Sequence, residues 1–429
     1  MADLRDLQAS FAALYRRISE RPAKGRYFRV TAGGAEKTTV QLRNSLVSRF
    51  EVASDLRYEV TVAEKKSGWR TATRSFTQPA FLQNWDATVA ATLSRAASSA
   101  DPRPPFRDEP SLDPDAAVPD YDHDIATQRA ALVFHRLYRA LRGVLQDGWA
   151  VDLDAQWSHG ASFWDGSPRE FACIDPLRFR FAPQTQIVES IRMYVPGSPF
   201  CARAMVKTTA QAADFPDFSS IVIDLAALRG APAFAWTPAQ FDHVFLSPVA
   251  TEQVFRRILP QILAGEPHPA LSAFLEIADA PPESALYFDA LGVRPQQVVL
   301  HAQGKTADAL RADNGHAVAG GARPNAFFPV LRAADAASLP AWASASATAK
   351  ALGGLAVCIE TVEFRRTSDG ADFGLFPRGG ILYHDGVAAG IVAPPTELLS
   401  LAAILGSAVP LTAPFCIGSL AVPALVIRP

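Results

Sequence analysis

An excess of charge of either sign is missing from this chain. Its 41 Lys and Arg stand against 43 Asp and Glu over 429 residues, a formal net charge of −2, and no run of five or six like charges occurs. That balance gives no general attraction to nucleic acid or to an anionic membrane, so neither is expected as a partner. Long apolar runs are also missing. No stretch holds eighteen uninterrupted apolar residues, and "MADLRDLQASFAALYRRI" carries charges every few residues with no apolar core of signal-peptide length; a cytoplasmic protein is the expectation. Cysteine is scarce: Cys173, Cys201, Cys358 and Cys416 lie far apart and form no CxxC, which argues against a zinc ribbon or a disulfide framework and predicts buried thiols. None of the eight histidines has another three to five residues away, so no local zinc site is written in the sequence.

What is present is a core-forming chain, 49% hydrophobic, long enough for two or three domains. Leu4, Leu7, Phe11, Leu14 and Ile18 recur at helical spacing. "RYFRV", "TTVQL", "SRFEV" and "RYEVTVA" follow as strands, with Tyr58, Val60 and Val62 alternating, and "TAGG" and "KKSG" are the predicted turns. Phe81, Trp85, Val89 and Leu93 predict a second helix. Residues 100–122 hold six prolines among aspartates and form a linker or extended arm. Beyond it come a helix with Ile125, Leu132, Leu137 and Leu141, several strands broken by Gly and Pro from Trp149 to about Pro196, and an irregular excursion over 197–220.

Near residue 240 the texture changes. "FDHVFLSPVATEQVFRRILPQILAG" runs from an apolar strand into a helix, with Ser247 as N-cap, Pro248 as first helical residue, and Phe255, Ile258, Leu259 and Ile262 as the buried stripe. From Leu291 onward short strands and glycines dominate, with helical turns near Ala307–Arg311 and Thr396–Leu405. The fold class is α+β: an amino-terminal α/β domain over residues 1–235 with helices on a sheet, and a mainly antiparallel, barrel-like β domain over 236–429.

Several fragments imitate catalytic motifs without their full geometry. "HAQGKT" ends like a P-loop, but Val299 stands where the first glycine belongs. Asp372, Phe373 and Gly374 spell DFG with no glycine-rich or HRD-type loop in company, and Ser162 in "HGASFWDG" has Trp164 where a nucleophile elbow needs glycine. Glu360 and Glu363 fall on one expected strand whose alternation sends them to opposite faces. In "GADFGLFPRGGILYHDGV", residues 370–387, the glycines punctuate apolar pieces, and Asp385 with Gly386 is a hairpin dipeptide between "ILY" and "VAAGIV".

The same region resembles the carboxy-terminal domain of the TldD/PmbA (TldE) family. Gly353, Gly354 and Leu355 match its first strand, Gly370, Asp372 and Phe373 its turn, and Gly380, Ile381, Leu382 and Gly386 its hairpin, with His384 and Asp385 replacing the usual acidic and asparagine residues. Gly406, Gly418, Pro423 and Val426 complete the set. Upstream, "VFLSPVATEQVFRRIL" is similar to the family's strand and helix, and "YFDALGV" keeps Asp289 and Gly292 of a turn while Leu291 replaces its glutamate. The resemblance extends over most of the chain, least well at Asp101–Asp122 and Phe200–Ser219. In the TldD kind of subunit this helix carries the zinc motif HExxxH; the PmbA or TldE kind lacks it and pairs with TldD in a heterodimeric peptidase. Here the helix carries Glu252, Gln253, Arg256 and Arg257.

The resemblance therefore implies a non-catalytic subunit with no cofactor of its own and zinc in an HExxxH-bearing partner. The pair would enclose unfolded or extended peptides and, in some members, mature peptide natural products. Arg256 and Arg257 are candidate substrate contacts or the solvated face of their helix, and Asp289 is a candidate contact or a turn cap. The alternative is a stand-alone homodimeric peptide-binding or scaffolding protein.

Overall fold

The structure is a computed structural model that describes residues 26–65, 69–76, 84–95, 97–99, 148–165, 180–194, 201–209, 231–264, 270–279, 298–302, 305–306, 329–333, 339–366, 373–417 and 420–427, with scattered residues between 134 and 145 and at 228. The helix expected over residues 4–18, the arm at 100–122, Asp289, Leu291, Gly370, Asp372 and the turn at 307–311 lie outside these residues.

The first sheet has seven strands: β1 (Arg26–Arg43), β2 (Leu46–Lys65), β3 (Trp69–Phe76), β4 (Ala97–Ser99), β5 (Ala150–Asp165), β6 (Arg180–Tyr194) and β7 (Cys201–Thr209). Its order is β4-β3-β2-β1-β5-β6-β7 and every pairing is antiparallel. Alternation decides which face is covered. Val151, Leu153, Ala155 and Trp157 of β5 are buried, while Asp152, Asp154 and Gln156 between them point away from that core. Val40, Leu42, Ile191 and Met193 join them, and Leu137 and Leu141 close the cluster from the helical residues between 134 and 145. A second helix, α1 (Trp85–Leu93), lies against β2 and β3 with Val89 and Leu93 buried.

These strands are longer than local composition suggested. "TAGG" is no turn: Gly33 and Gly34 sit inside β1, opposite Arg57 and Leu56 on one side and Ser162 and Ala161 on the other. Pairing on both sides outweighs the weak strand preference of glycine. The reversal falls at Asn44 and Ser45, with φ of +49° and +67°, where the Asn44 N–H donates to Asp152 at 2.9 Å and the Ser45 N–H to the Val151 carbonyl at 2.8 Å. Gly160 and Pro183 likewise fail to break β5 and β6. Pro183 lies beyond the stretch of β6 that β7 covers, so its missing donor faces no ladder. Residues 201–209 of the expected irregular excursion are β7.

The remaining elements, in chain order, are β8 (Ala233–Phe234), β9 (His243–Leu246), α2 (Pro248–Ala264), β10 (Leu275–Asp279), β11 (Val298–Ala302), β12 (Lys305–Thr306), β13 (Pro329–Ala333), α3 (Ala345–Leu352), β14 (Leu355–Ile359), β15 (Val362–Arg366), β16 (Phe373–Pro377), β17 (Gly380–His384), β18 (Val387–Val392), β19 (Leu399–Ser400), α4 (Leu401–Ser407), β20 (Val409–Pro410), β21 (Phe415–Ile417), β22 (Leu420–Val422) and β23 (Leu425–Ile427). They build a sheet ordered β12-β11-β10-β13-β22-β21, a sheet ordered β20-β23-β9-β14-β17-β18-β8, and a small sheet β15-β16-β19. The sheets are open, each order having two ends, where the sequence suggested a barrel-like closure. Antiparallel pairing dominates, with β9–β14, β13–β22 and β8–β18 parallel. β8 precedes the expected boundary at 235/236 and yet joins this later part through β18.

The sheet around β9, β14 and β17 is covered on both faces, which is why "HVFL", "LAVCI" and "GILY" are almost wholly apolar. Val244, Leu246, Val357 and Leu382 share a core with α2 and α4, while Phe245, Ala356, Cys358 and Tyr383 share one with Ala345 and Ala349 of α3. Cys416, by contrast with Cys358, is solvent-accessible, a correction to the expectation of buried thiols.

Candidate functional site

The site rests on the strand-to-helix passage from β9 to α2. Ser247 begins the helix: its Oγ accepts from the Ala250 N–H at 3.3 Å and its carbonyl from the Thr251 N–H at 2.9 Å. Its own N–H donates to the Ile359 carbonyl at 3.0 Å, so the helix start is fixed to β14. Pro248 follows at the position where a missing donor costs nothing. Val254, Phe255, Ile258, Leu259 and Ile262 are buried, and each side chain contributes about 1.5–3 kcal/mol through removal from water. Gln253 adds a polar tie that the sequence did not disclose, its Oε1 accepting from the Val362 N–H at 2.8 Å.

The outward row of α2 is polar. Arg256 and Arg257 are both exposed, and Arg256 forms a charge-assisted pair with Glu252 one turn earlier. The pair was readable in principle from the i,i+4 spacing. Glu252 is the more sheltered partner, its side chain 11% exposed against 63% for Arg256. Pro260 lies within the same helix, so the Arg256 carbonyl lacks its usual helical donor. This row therefore offers guanidinium groups and backbone oxygen, and it has no imidazole. Guanidinium cannot ligate a metal ion at physiological pH. Among the described residues no group of three His, Cys, Asp or Glu side chains could hold one. β7 of the first sheet comes alongside α2, β17 and β21.

Other polar groups of this half of the chain have structural employment. Asp242 and Asp385 accept from the backbone N–H groups of Leu355 and Gly354, each at 2.8 Å. Asp385 and Gly386, at φ of +48° and +84°, form the expected turn between β17 and β18, with His384 exposed beside it. Glu360 and Glu363 do not share a strand: Glu360 is buried in the joint after β14, near the Cys358 thiol at 3.7 Å, whereas Glu363 within β15 meets Arg365 and Arg378. In "HAQGKT", His301 and Ala302 pair antiparallel with Thr306 and Lys305. Ser162 lies in mid-strand, paired on both sides.

No family model and no curated protein matches the sequence. Solved structures match its fold over nearly the whole length. A suggested modulator of a DNA gyrase from Thermotoga maritima aligns at 11% identity and a TM-score of 0.64, covering 98% of each chain. A suggested modulator of DNA gyrase from Bacteroides thetaiotaomicron aligns at 12% identity and 0.64, over 100% of this chain and 98% of that one. These likenesses define the chain as an α+β protein of one shared architecture. That architecture is the TldE fold: TldE from Thermococcus kodakarensis aligns at 10% identity and 0.63, over 97% of this chain and 98% of that one. At these identities the likeness is one of fold.

Proposed function

We propose that this chain is the metal-free subunit of a TldD/TldE-like zinc metallopeptidase. The observation that carries the reading is the coincidence of a TldE fold over 97% of the chain with an α2 helix whose outward row holds Arg256 and Arg257 and no histidine. Zinc and the attacking water belong, in this reading, to an HExxxH-bearing partner, and this chain encloses and positions an unfolded or extended peptide. Strand edges suit that task, because backbone hydrogen bonds hold a peptide while demanding little of its sequence. Arg256 and Arg257 would orient a carboxylate of the peptide, and Asp289 is retained as a third contact. Maturation of a modified peptide natural product is the specialised form of this role. A cytoplasmic setting is part of the proposal; no helix among the described residues is long and apolar enough to cross a membrane.

The test is co-expression with the HExxxH-bearing relative from the same source, with zinc quantified and cleavage of an unfolded peptide followed. Zinc and cleavage in the joint complex, and neither of them with this chain alone, is the expected result. Arg256→Ala with Arg257→Ala should then raise KM with little change in kcat. Cleavage by this chain alone would overturn the assignment, and a homodimer that ignores the relative would favour the scaffolding alternative.

A further inference from the structure

A second polar surface lies on the helical residues between 134 and 145. Leu137 and Leu141 seal this helix into the first core, at 1% and 0% exposure. At about 100° per residue, His135, Tyr138, Arg139 and Arg142 fall on a stripe roughly a third of a turn from that buried line. With Leu145 they line a groove of about 640 Å³. Tyr138 is 54% exposed, and both arginines are exposed.

Among the described residues lining this groove, Arg139 and Arg142 carry the charge. Several exposed arginines elsewhere have partners: Arg43 meets Asp154, Arg49 meets Glu51, and Arg365 meets Glu363 and the ring of Phe376. Among the described residues no carboxylate meets Arg139 or Arg142. Two guanidinium groups that no described carboxylate meets, in a concavity that also presents a phenol ring and a leucine, are an arrangement for an anionic ligand with some apolar surface.

We propose that this groove binds an acidic peptide segment, with carboxylates on Arg139 and Arg142 and apolar side chains against Tyr138 and Leu145. The guanidinium fork matches a carboxylate with two parallel hydrogen bonds. Three residues of helix separate the two arginines by about 4.5 Å along the axis, so one short segment reaches both. The volume suits a few side chains. A duplex nucleic acid would need a far broader surface, and a net charge of −2 gives no long-range pull on a polyphosphate. The inference goes beyond the peptidase reading and does not depend on it, since the groove belongs to this chain alone.

The test uses the full-length protein without a partner and fluorescence anisotropy with three labelled probes: a short Glu- and Leu-containing peptide, its Gln counterpart, and a single-stranded oligonucleotide. The Glu peptide should bind roughly tenfold more tightly than the Gln peptide, and added salt should weaken it. Arg139→Ala with Arg142→Ala should cost about the same factor, and the double lysine variant should fall between, because it keeps the charge and loses the fork. Arg365→Ala, a charge change in β15, should leave affinity within about twofold. Unchanged melting of each variant separates lost binding from lost folding. Equal binding of the two peptides, indifference to the arginines, or tighter binding of the oligonucleotide would each overturn the proposal.

Discussion

Replacing Gly386 by alanine probes how the β17–β18 hairpin is seated. At φ of +84° an L-residue is disfavoured by about 1–2 kcal/mol. The added Cβ would also stand 2.5 Å from Lys350 Cβ, 2.9 Å from the Ser346 carbonyl oxygen and 3.0 Å from Lys350 Cα. Backbone atoms of α3 cannot swing aside as the tip of a side chain can, so helix and turn must part. Parting them breaks the hydrogen bond that the Ser346 hydroxyl donates to the Gly386 carbonyl, worth about 1 kcal/mol. The sum is about 3 kcal/mol, which raises the population of a locally opened hairpin about a hundredfold. Hydrogen–deuterium exchange of peptides covering 380–392 reads that opening without requiring the whole chain to unfold in two states. Gly148→Ala is the matching control, since its φ is +78° and nothing lies within 4 Å of the added Cβ. It should raise local exchange by only about tenfold. Equal effects in the two variants, or a Gly386→Ala hairpin exchanging within twofold of the parent, would refute the argument that close approach to α3 holds the turn.

Three further outcomes follow from single environments. Pro260→Ala should stabilise the protein by roughly 1–3 kcal/mol, because it restores a helical donor to the Arg256 carbonyl and removes the ring's clash with it; a lower denaturant midpoint would contradict this. Tyr58 is held above the usual tyrosine range by burial, and Tyr194 by burial and then by its hydrogen bond to Asp152. Their folded-state values exceed the unfolded ones, so their contribution is complete below the ordinary tyrosine range and disappears as pH rises through the folded values. The alkaline fall in melting temperature should therefore be shallower in Tyr58→Phe with Tyr194→Phe. Partial burial likewise pushes the Cys416 thiol up although it is accessible, so iodoacetamide should label it more slowly than a free thiol near neutral pH and faster as pH rises, while fully buried Cys358 reacts only after unfolding.

Local chemistry was legible wherever a feature is decided within a few residues. Ser247 and Pro248 start α2 because a hydroxyl acceptor and a ring without a donor suit no other place so well, and Asp385 with Gly386 turns the chain because both adopt positive φ. The stripe from Phe255 to Ile262 named its buried face for the same reason. Long-range pairing was not legible. Gly33 and Gly34 signal a turn until β2 and β5 bracket them, and nothing in "CARAMVKTT" states that β6 lies alongside. The candidate site divides in the same way: Arg256 and Arg257 were visible as polar residues on an apolar helix, whereas the tie from Gln253 to Val362 depends on a strand more than a hundred residues away. The groove beside Leu137 and Leu141 could have been suspected from His135, Tyr138, Arg139 and Arg142 at i, i+3, i+4 and i+7, but only the fold shows a concavity there.

β9 lies between β14 and β23 in its sheet, with Leu246 facing Leu425 and Val244 facing Ile427. Only Pro423 and Ala424 separate β23 from β22, which belongs to the sheet of β10 and β13. During synthesis β9 therefore emerges long before the strand that covers one of its edges, and two sheets await the same few residues near 420–427. An apolar strand left with an open ladder is an invitation to pair with the wrong chain. Until β23 pairs, β9 keeps that edge of its ladder open, so the order in which the strands become available sets how long "HVFL" is exposed to a wrong partner.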